Sequence, residues 1–286
     1  MKILVTGGAG FIGSNLCEVL NYNTSNQISV LDNYITGLME NHIKGVEYIK
    51  GNTCDIDSLI NFTPDIVYHL GEYSRVEQSF NDIELIYRSN IVGTFKVIKF
   101  CQKHKCKLIY AGSSTKFGDN GNGRNQSPYG WSKASNVDLV KNFGEWYGLE
   151  YAITYFYNVY GKREISDGKY ATLIALFTEK FKKGKPLTVV SPGTQIRNFT
   201  HVEDIVNGLV MVGEQGQGDG YGIGTSESFT IFEIADMFGG KIEMLPERPG
   251  NRMFSDLNVE KTKRLNWKPK HSITDYIKNI VRKYGD

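Results

Sequence analysis

Residues 2–13 read Lys2-Ile3-Leu4-Val5-Thr6-Gly7-Gly8-Ala9-Gly10-Phe11-Ile12-Gly13, and this stretch decides the fold. A short apolar run, too brief for a helix, enters a glycine turn and opens an amphipathic pattern over residues 11–22. Gly7, Gly10 and Gly13 stand three apart. Glycines at that spacing permit a tight strand-to-helix turn and let backbone approach a pyrophosphate, which the positive end of the helix then faces. Asp32 closes the next apolar run, 19 residues after Gly13 (32 − 13). A carboxylate there accepts hydrogen bonds from the hydroxyls of an adenosine ribose and repels a 2′-phosphate, so the pattern predicts NAD rather than NADP.

Outward from this turn the first half of the chain keeps one rhythm. Residues 28–32, 46–50, 66–70, 107–112 and 151–157 read as further buried strands. Residues 84–103 and 129–147 read as long crossover helices. Buried runs alternating with helices predict an α/β fold: a doubly wound parallel sheet covered on both faces. The rhythm loosens near residue 160. The expected division is a dinucleotide-binding domain over 1–160 and a smaller α/β substrate-binding lobe over 161–286, with part of 195–225 able to return to the sheet. In that second part, helices are expected near 170–182 and 202–212 with a strand at 187–190, and the C-terminal third is expected to hold short strands and helices, including 231–237, 259–265 and 273–283.

Composition narrows the class of function. A formal charge of +2 over 286 residues produces no field that gathers nucleic acid or anionic lipid. The basic run from Lys180 to Lys185 reads as a solvated helix end. Cys17, Cys54, Cys101 and Cys106 lack metal-ligand spacing and read as reduced thiols, which suits the cytoplasm. The five histidines are equally scattered, so no metal is expected. No apolar run approaches the roughly 18 residues that span a membrane.

Tyr129 and Lys133 lie one helical turn apart and face the same way. A free tyrosine titrates near pH 10 and is a poor base at neutrality; a neighbouring ammonium favours its phenolate. Ser113 ends a predicted strand, and parallel sheets place ligands at such carboxyl ends. Its hydroxyl can bond a reacting sugar oxygen.

Several further segments join these residues in resembling one known family, the extended short-chain dehydrogenase/reductases, and within it the NAD-dependent nucleotide-sugar epimerases and dehydratases. They are Thr6 to Gly13, Asp32-Asn33, Val67 to Leu70, Asn90 to Thr94, Ser113 to Gly118, Tyr129 to Lys133, Asn158 to Gly161, Arg197 to Phe199 and Arg248 to Gly250. The resemblance implies a Rossmann-type sheet with tightly held NAD. It implies that Ser113 and Tyr129 bind the sugar hydroxyl, that Tyr129 moves its proton, and that Lys133 binds the nicotinamide ribose. Phe11 and Ile12 would lie in the phosphate turn, with Asn33, Asn52 and Thr53 near the adenosine. Leu70, Gly71, Asn90 and Tyr157 would line the NAD channel. Asn158, Arg197 and Arg248 would hold the diphosphate, and Ser255 would border the C2 substituent of the sugar. It also implies a homodimer built on the helices 84–103 and 129–147.

The chain departs from the family pattern in places. Asn52 replaces a common aspartate, Gly71-Glu72 a usual Ala-Ala, Tyr155 a common arginine and Lys162 a proline. Only 16 positions (129 − 113) separate Ser113 from Tyr129. Dehydratases of the family carry Asp-Glu just after the hydroxyl residue and decarboxylases a glutamate at the second place; Ser114 and Thr115 stand here. The expected reaction is therefore C4 epimerisation of a UDP-sugar, glucose/galactose or the N-acetyl forms, through a 4-ketose. A 4-keto-sugar reductase, another sugar-nucleotide epimerase and a non-catalytic NAD-binding sensor or scaffold are the alternatives.

Overall fold

The computed structural model describes residues 1–254 and 256–285. Seven strands form one sheet in the order Gly218–Ile223, Tyr151–Phe156, Lys107–Ser113, Ile66–His69, Lys2–Thr6, Gln27–Asp32 and Glu47–Lys50. Every neighbouring pair is parallel. The chain starts in the middle, builds outward to one side and then to the other, so the two strand ends beside Lys2–Thr6 diverge and leave a crevice there.

Both faces of the sheet are buried, which is why its strands read as continuous apolar runs. Ile3 and Val5 point into a core closed by helices Phe11–Asn21 and Val202–Gln215, whereas Leu4 points into the core under Thr94–His104 and Pro128–Tyr147. Ile109 and its neighbours Leu108 and Tyr110 divide between the same two cores. A third core, built on Phe177, Leu187, Ile234 and Ile277, lies under the second lobe. There Leu187–Val190 pairs in parallel with Ile242–Leu245, and helix Ile231–Phe238 begins with a reciprocal Thr230–Glu233 capping box. Four cysteines are free thiols, three of them buried.

One expectation needs correction and another narrows. The helix expected over 84–103 is not uniform: it runs as Ile83–Ile86, a wide-turned stretch Tyr87–Gly93, and Thr94–His104. The widening lies at Asn90, whose side chain faces the chain at Tyr73 instead of solvent. The part of 195–225 able to return to the sheet narrows to the strand Gly218–Ile223; Gly218, Gly220, Gly222 and Asp219 lack the apolar alternation that would mark its bounds in the sequence.

Asp204 joins the C-terminal segment to the sheet's helices. Its buried carboxylate accepts from the Lys270 and His271 amides, each at 3.0 Å, and from His271 Nδ1 at 3.1 Å; its carbonyl accepts from the Trp267 indole at 2.9 Å. The histidines that are scattered in sequence meet here. His201, Glu203 and His271 bring their polar atoms within 4.8 Å, His201 Nδ1 accepts from the Glu203 amide, and His271 Nε2 lies 3.3 Å from Glu203. Replacing Asp204 by alanine strands two backbone donors, so Asp204→Ala should cost about 2–4 kcal/mol. A thermal melt indistinguishable from wild type would show that this anchor contributes nothing.

Candidate active site

A cleft of about 630 Å³ opens at the carboxyl ends of the central strands and runs beneath the second lobe. At one end lies the glycine turn. Gly7 has φ +73°, and a Cβ there would stand 2.8 Å from Gly71 backbone; a Cβ at Gly13 would overlap the Gly7 carbonyl oxygen. Only glycine fits either place. The helix Phe11–Asn21 starts with no side-chain cap, and Gly10, Phe11, Ile12 and Gly13 line the cleft. Asp32, also in the wall, accepts from the Ala9 amide at 2.9 Å and the Tyr34 amide at 2.8 Å. Burial pushes its carboxyl upward and those amides hold it down. Asn33, Thr53, Leu70 and Gly71 complete this end.

At the centre of the cleft stand Ser113, Tyr129 and Lys133. Ser113 ends its strand, donating to Thr115 Oγ1 at 3.0 Å and accepting from the Thr115 amide at 3.2 Å. Tyr129 lies in the first turn of helix Pro128–Tyr147, whose start is set by Ser127 accepting from the Gly130 amide at 3.0 Å and by Pro128. Lys133 follows one turn later, only 5% exposed. Its ammonium donates to the Ala111 carbonyl at 2.5 Å and to Glu72, and lies 4.7 Å from the Tyr110 ring centre. Glu72 also accepts from Thr94, Tyr110 and Asn136. His69 lies behind, hydrogen-bonded to Thr6 at 2.7 Å and Thr94 at 2.9 Å; burial drops it to about 4, so it is a neutral packing residue.

The second lobe supplies the far end. Asn158, Arg197 and Arg248 all line the cleft. Arg248 pairs with Glu77 at 2.5 Å, and Arg197 donates to the Arg252 carbonyl at 2.7 Å, with burial lowering it to about 9. Asn158 adopts φ 31° and donates to the Asn198 carbonyl.

Three residues expected at the site are not in the cleft wall. Asn52 accepts from Asn33 at 3.1 Å beside it. Asn90 is fully buried, spending its amide on the Tyr73 backbone and on Ser132. Tyr157 is buried too, its hydroxyl bonded to the Asp256 carbonyl and the Asn258 amide. Ser255 lies outside the described residues. Conversely, Glu72, Arg75 and Arg252 line the cleft without having been assigned a role from sequence. The one sequence signal at Glu72 is that Gly71-Glu72 replaces a usual Ala-Ala; its place beside Lys133, 61 positions away, is not legible there.

With this geometry in view, known proteins can be compared. A family model described as the NAD dependent epimerase/dehydratase family matches residues 3–224. The chain belongs to that family. A putative UDP-glucose 4-epimerase of Methanocaldococcus jannaschii is 30% identical, over 98% of this chain and 97% of that protein. UDP-glucuronic acid decarboxylase 6 of Arabidopsis thaliana is also 30% identical, over 94% of this chain and 84% of its own length. The structure of Thermus thermophilus UDP-glucose 4-epimerase in complex with NAD superposes with a TM-score of 0.89 at 29% identity, covering 99% of each chain.

The family is NAD-dependent, and the residues here fit that cofactor: a turn that only glycine can make, and a carboxylate in the wall where a second ribose phosphate would lie. Asp32→Ala should therefore narrow the preference for NAD over NADP, measured as the ratio of the two dissociation constants. Equal affinity of the wild type for both would remove the role of Asp32.

Proposed function

We propose that this protein interconverts C4 epimers of a UDP-sugar through a transient 4-ketose. One observation supports epimerisation over elimination: the described cleft wall holds three carboxylates, and the two nearest the chemical and diphosphate ends are committed to cations. Glu72 is bonded to Lys133 and Glu77 to Arg248, while Asp32 lies at the nucleotide end. Expulsion of water from C5–C6 needs an acid and a base beside the sugar, and the two positions after Ser113 offer only hydroxyls. Glu164, pushed to about 7 by burial, sits behind the wall with Thr172 and the Gly161 amide as partners.

Each residue then has a task. Ser113 orients the O4 hydroxyl, and Tyr129 removes its proton and later returns it. Lys133 supports the phenolate and holds the nicotinamide ribose. Bound NAD accepts hydride from C4 and gives it back, so net redox is zero and the cofactor need not leave. Asn158, Arg197 and Arg248 grip the diphosphate while the sugar turns and presents its other face; guanidinium forks match phosphate oxygens. A non-catalytic NAD sensor has no need of Ser113, Tyr129 and Lys133 together in one cleft.

Arg75 and Arg252 favour one substrate variant, a sugar that carries a carboxylate. Neither pairs with a carboxylate among the described residues: Arg75 donates to the Tyr170 carbonyl, and Arg252 to Ser114 at 3.3 Å, its Nη1 making no hydrogen bond there. Two cationic groups beyond the diphosphate pair would compensate one further negative charge. Incubation with UDP-glucose, UDP-N-acetylglucosamine and UDP-glucuronate, followed by separation of the products, tests both the reaction and the sugar. A pentose product or a 4-keto-6-deoxy product would replace epimerisation with decarboxylation or dehydration.

Tyr129→Phe should fold and bind NAD while turnover falls by about 10²–10⁴, the range for losing a positioned acid/base. Unchanged turnover would remove Tyr129 from the chemistry.

The homodimer is also a proposal. Ile83, Tyr87, Phe95, Trp131, Trp146 and Tyr147 are all at least 40% exposed, and all lie on the two long helical segments. Large apolar side chains exposed on two packed helical segments support an association surface there. Light scattering at micromolar concentration should give twice the 32.2 kDa chain mass; a monomer mass would contradict it.

A further inference from the structure

We propose that Glu72 is a positioning residue for Lys133 and sets the pH range in which Tyr129 works. The proposal rests on the catalytic roles given above to Tyr129 and Lys133.

The geometry is unusual for a loop carboxylate. Glu72 follows the strand Ile66–His69 and turns back under the helix Pro128–Tyr147, where its side chain is 3% exposed. Four donors converge on it: the Lys133 ammonium on Oε2, and the Thr94 hydroxyl, the Tyr110 phenol and the Asn136 amide on Oε1 at 3.0, 3.1 and 2.9 Å. Asn136 reaches the Asn90 carbonyl with the same nitrogen at 2.8 Å, so the wide-turned helix is tied into the cluster. A buried anion with three neutral donors and an ammonium is fully compensated.

Two consequences follow for Lys133. Its Nζ has three protons; Glu72 and the Ala111 carbonyl take two, which leaves one to point along a fixed direction. A lysine otherwise has four flexible torsions, and this pinning removes that freedom before any ligand arrives. The second consequence is electrostatic. In the catalytic role proposed above, Lys133 supports the phenolate; an ammonium paired with a carboxylate acts as a dipole, whose field falls off faster than that of an isolated charge. Glu72 therefore moderates the stabilisation that Lys133 gives.

Of the other ionisable groups near the cleft, Glu164, pushed to about 7 by burial and facing Arg75, titrates within the working range in wild type and variants alike. His69 is neutral above about pH 4, and burial raises the Tyr110 phenol, keeping it protonated. Arg75 and Arg252, both coupled electrostatically to Tyr129, stay cationic. Glu72 is the carboxylate bonded directly to Lys133, so its removal changes the charge paired with that ammonium.

The test uses the full chain with Glu72→Ala and Glu72→Gln. The acidic limb of turnover against pH should move down by about 1 unit in both variants, the size expected when a neighbouring opposite charge is lost from an ion pair. NAD affinity, followed by fluorescence, should weaken by about 3–10-fold as Lys133 loses its fixed direction, in line with the ordering cost of one long side chain. A merely structural role would lower the melting temperature and leave the pH limb where it is. An unmoved limb in a folded variant overturns the proposal, as does a limb displaced upward. Should both variants fail to fold, the wild type decides: with ¹⁵N-labelled lysine, Lys133 should give a slowly exchanging ammonium resonance that is lost in Lys133→Met, and absence of that signal overturns the holding. Absence of turnover on every UDP-sugar would sink the epimerase reading, whereas the ammonium resonance and NAD affinity would still decide the role of Glu72.

Discussion

The structure depends on one close approach. At the middle of the sheet the chain leaves Thr6 and must turn into a helix while the neighbouring strand ends at His69 and passes within van der Waals distance. Gly7 and Gly71 meet backbone to backbone there, with no room for a Cβ on Gly7. Thr6 fastens the two ends: its hydroxyl accepts from the Gly71 amide at 3.0 Å and shares a hydrogen bond with His69 at 2.7 Å. From that contact the two halves of the sheet diverge, and the cleft is the space between them. A side chain at Gly7 would push Gly71 and Glu72 outward and so disturb Lys133, which lies on a different helix.

Glu72 extends this constraint from the nucleotide end to the chemical end. A carboxylate in a buried loop carries a desolvation cost, and here three neutral donors and the Lys133 counter-charge offset it. The network reaches the strands Ile66–His69 and Lys107–Ser113 and the helices Thr94–His104 and Pro128–Tyr147.

The C-terminal part of the chain is held together by polar anchors as well as by apolar packing. Asp204 receives backbone amides from residues 270–271, Trp267 donates to its carbonyl, and Arg197 and Arg252 are interlocked through a carbonyl. These anchors place the cationic loop 248–252 over Ser113 and Tyr129.

The sequence by itself determined the parallel sheet, the glycine turn, the preference for NAD implied by Asp32, and the pairing of Tyr129 with Lys133. Each rests on local rules: a buried strand is apolar on both faces, only glycine makes that turn, and residues four apart share a helix face. Tertiary structure alone decided what lies beside them. Glu72 is 61 positions from Lys133, and Arg248 is 171 from Glu77. No periodicity links residues so far apart. Asn90 and Tyr157, expected in the NAD channel, lie behind the wall, because a side chain's direction at a wide helical turn or a strand end depends on which neighbour satisfies its polar atoms. The strand Gly218–Ile223 likewise forms only because Tyr151–Phe156 offers an open edge. Local chemistry is written in neighbouring residues; the partners of a buried charge are chosen by the fold, since only the fold determines which distant donors are close enough to replace water.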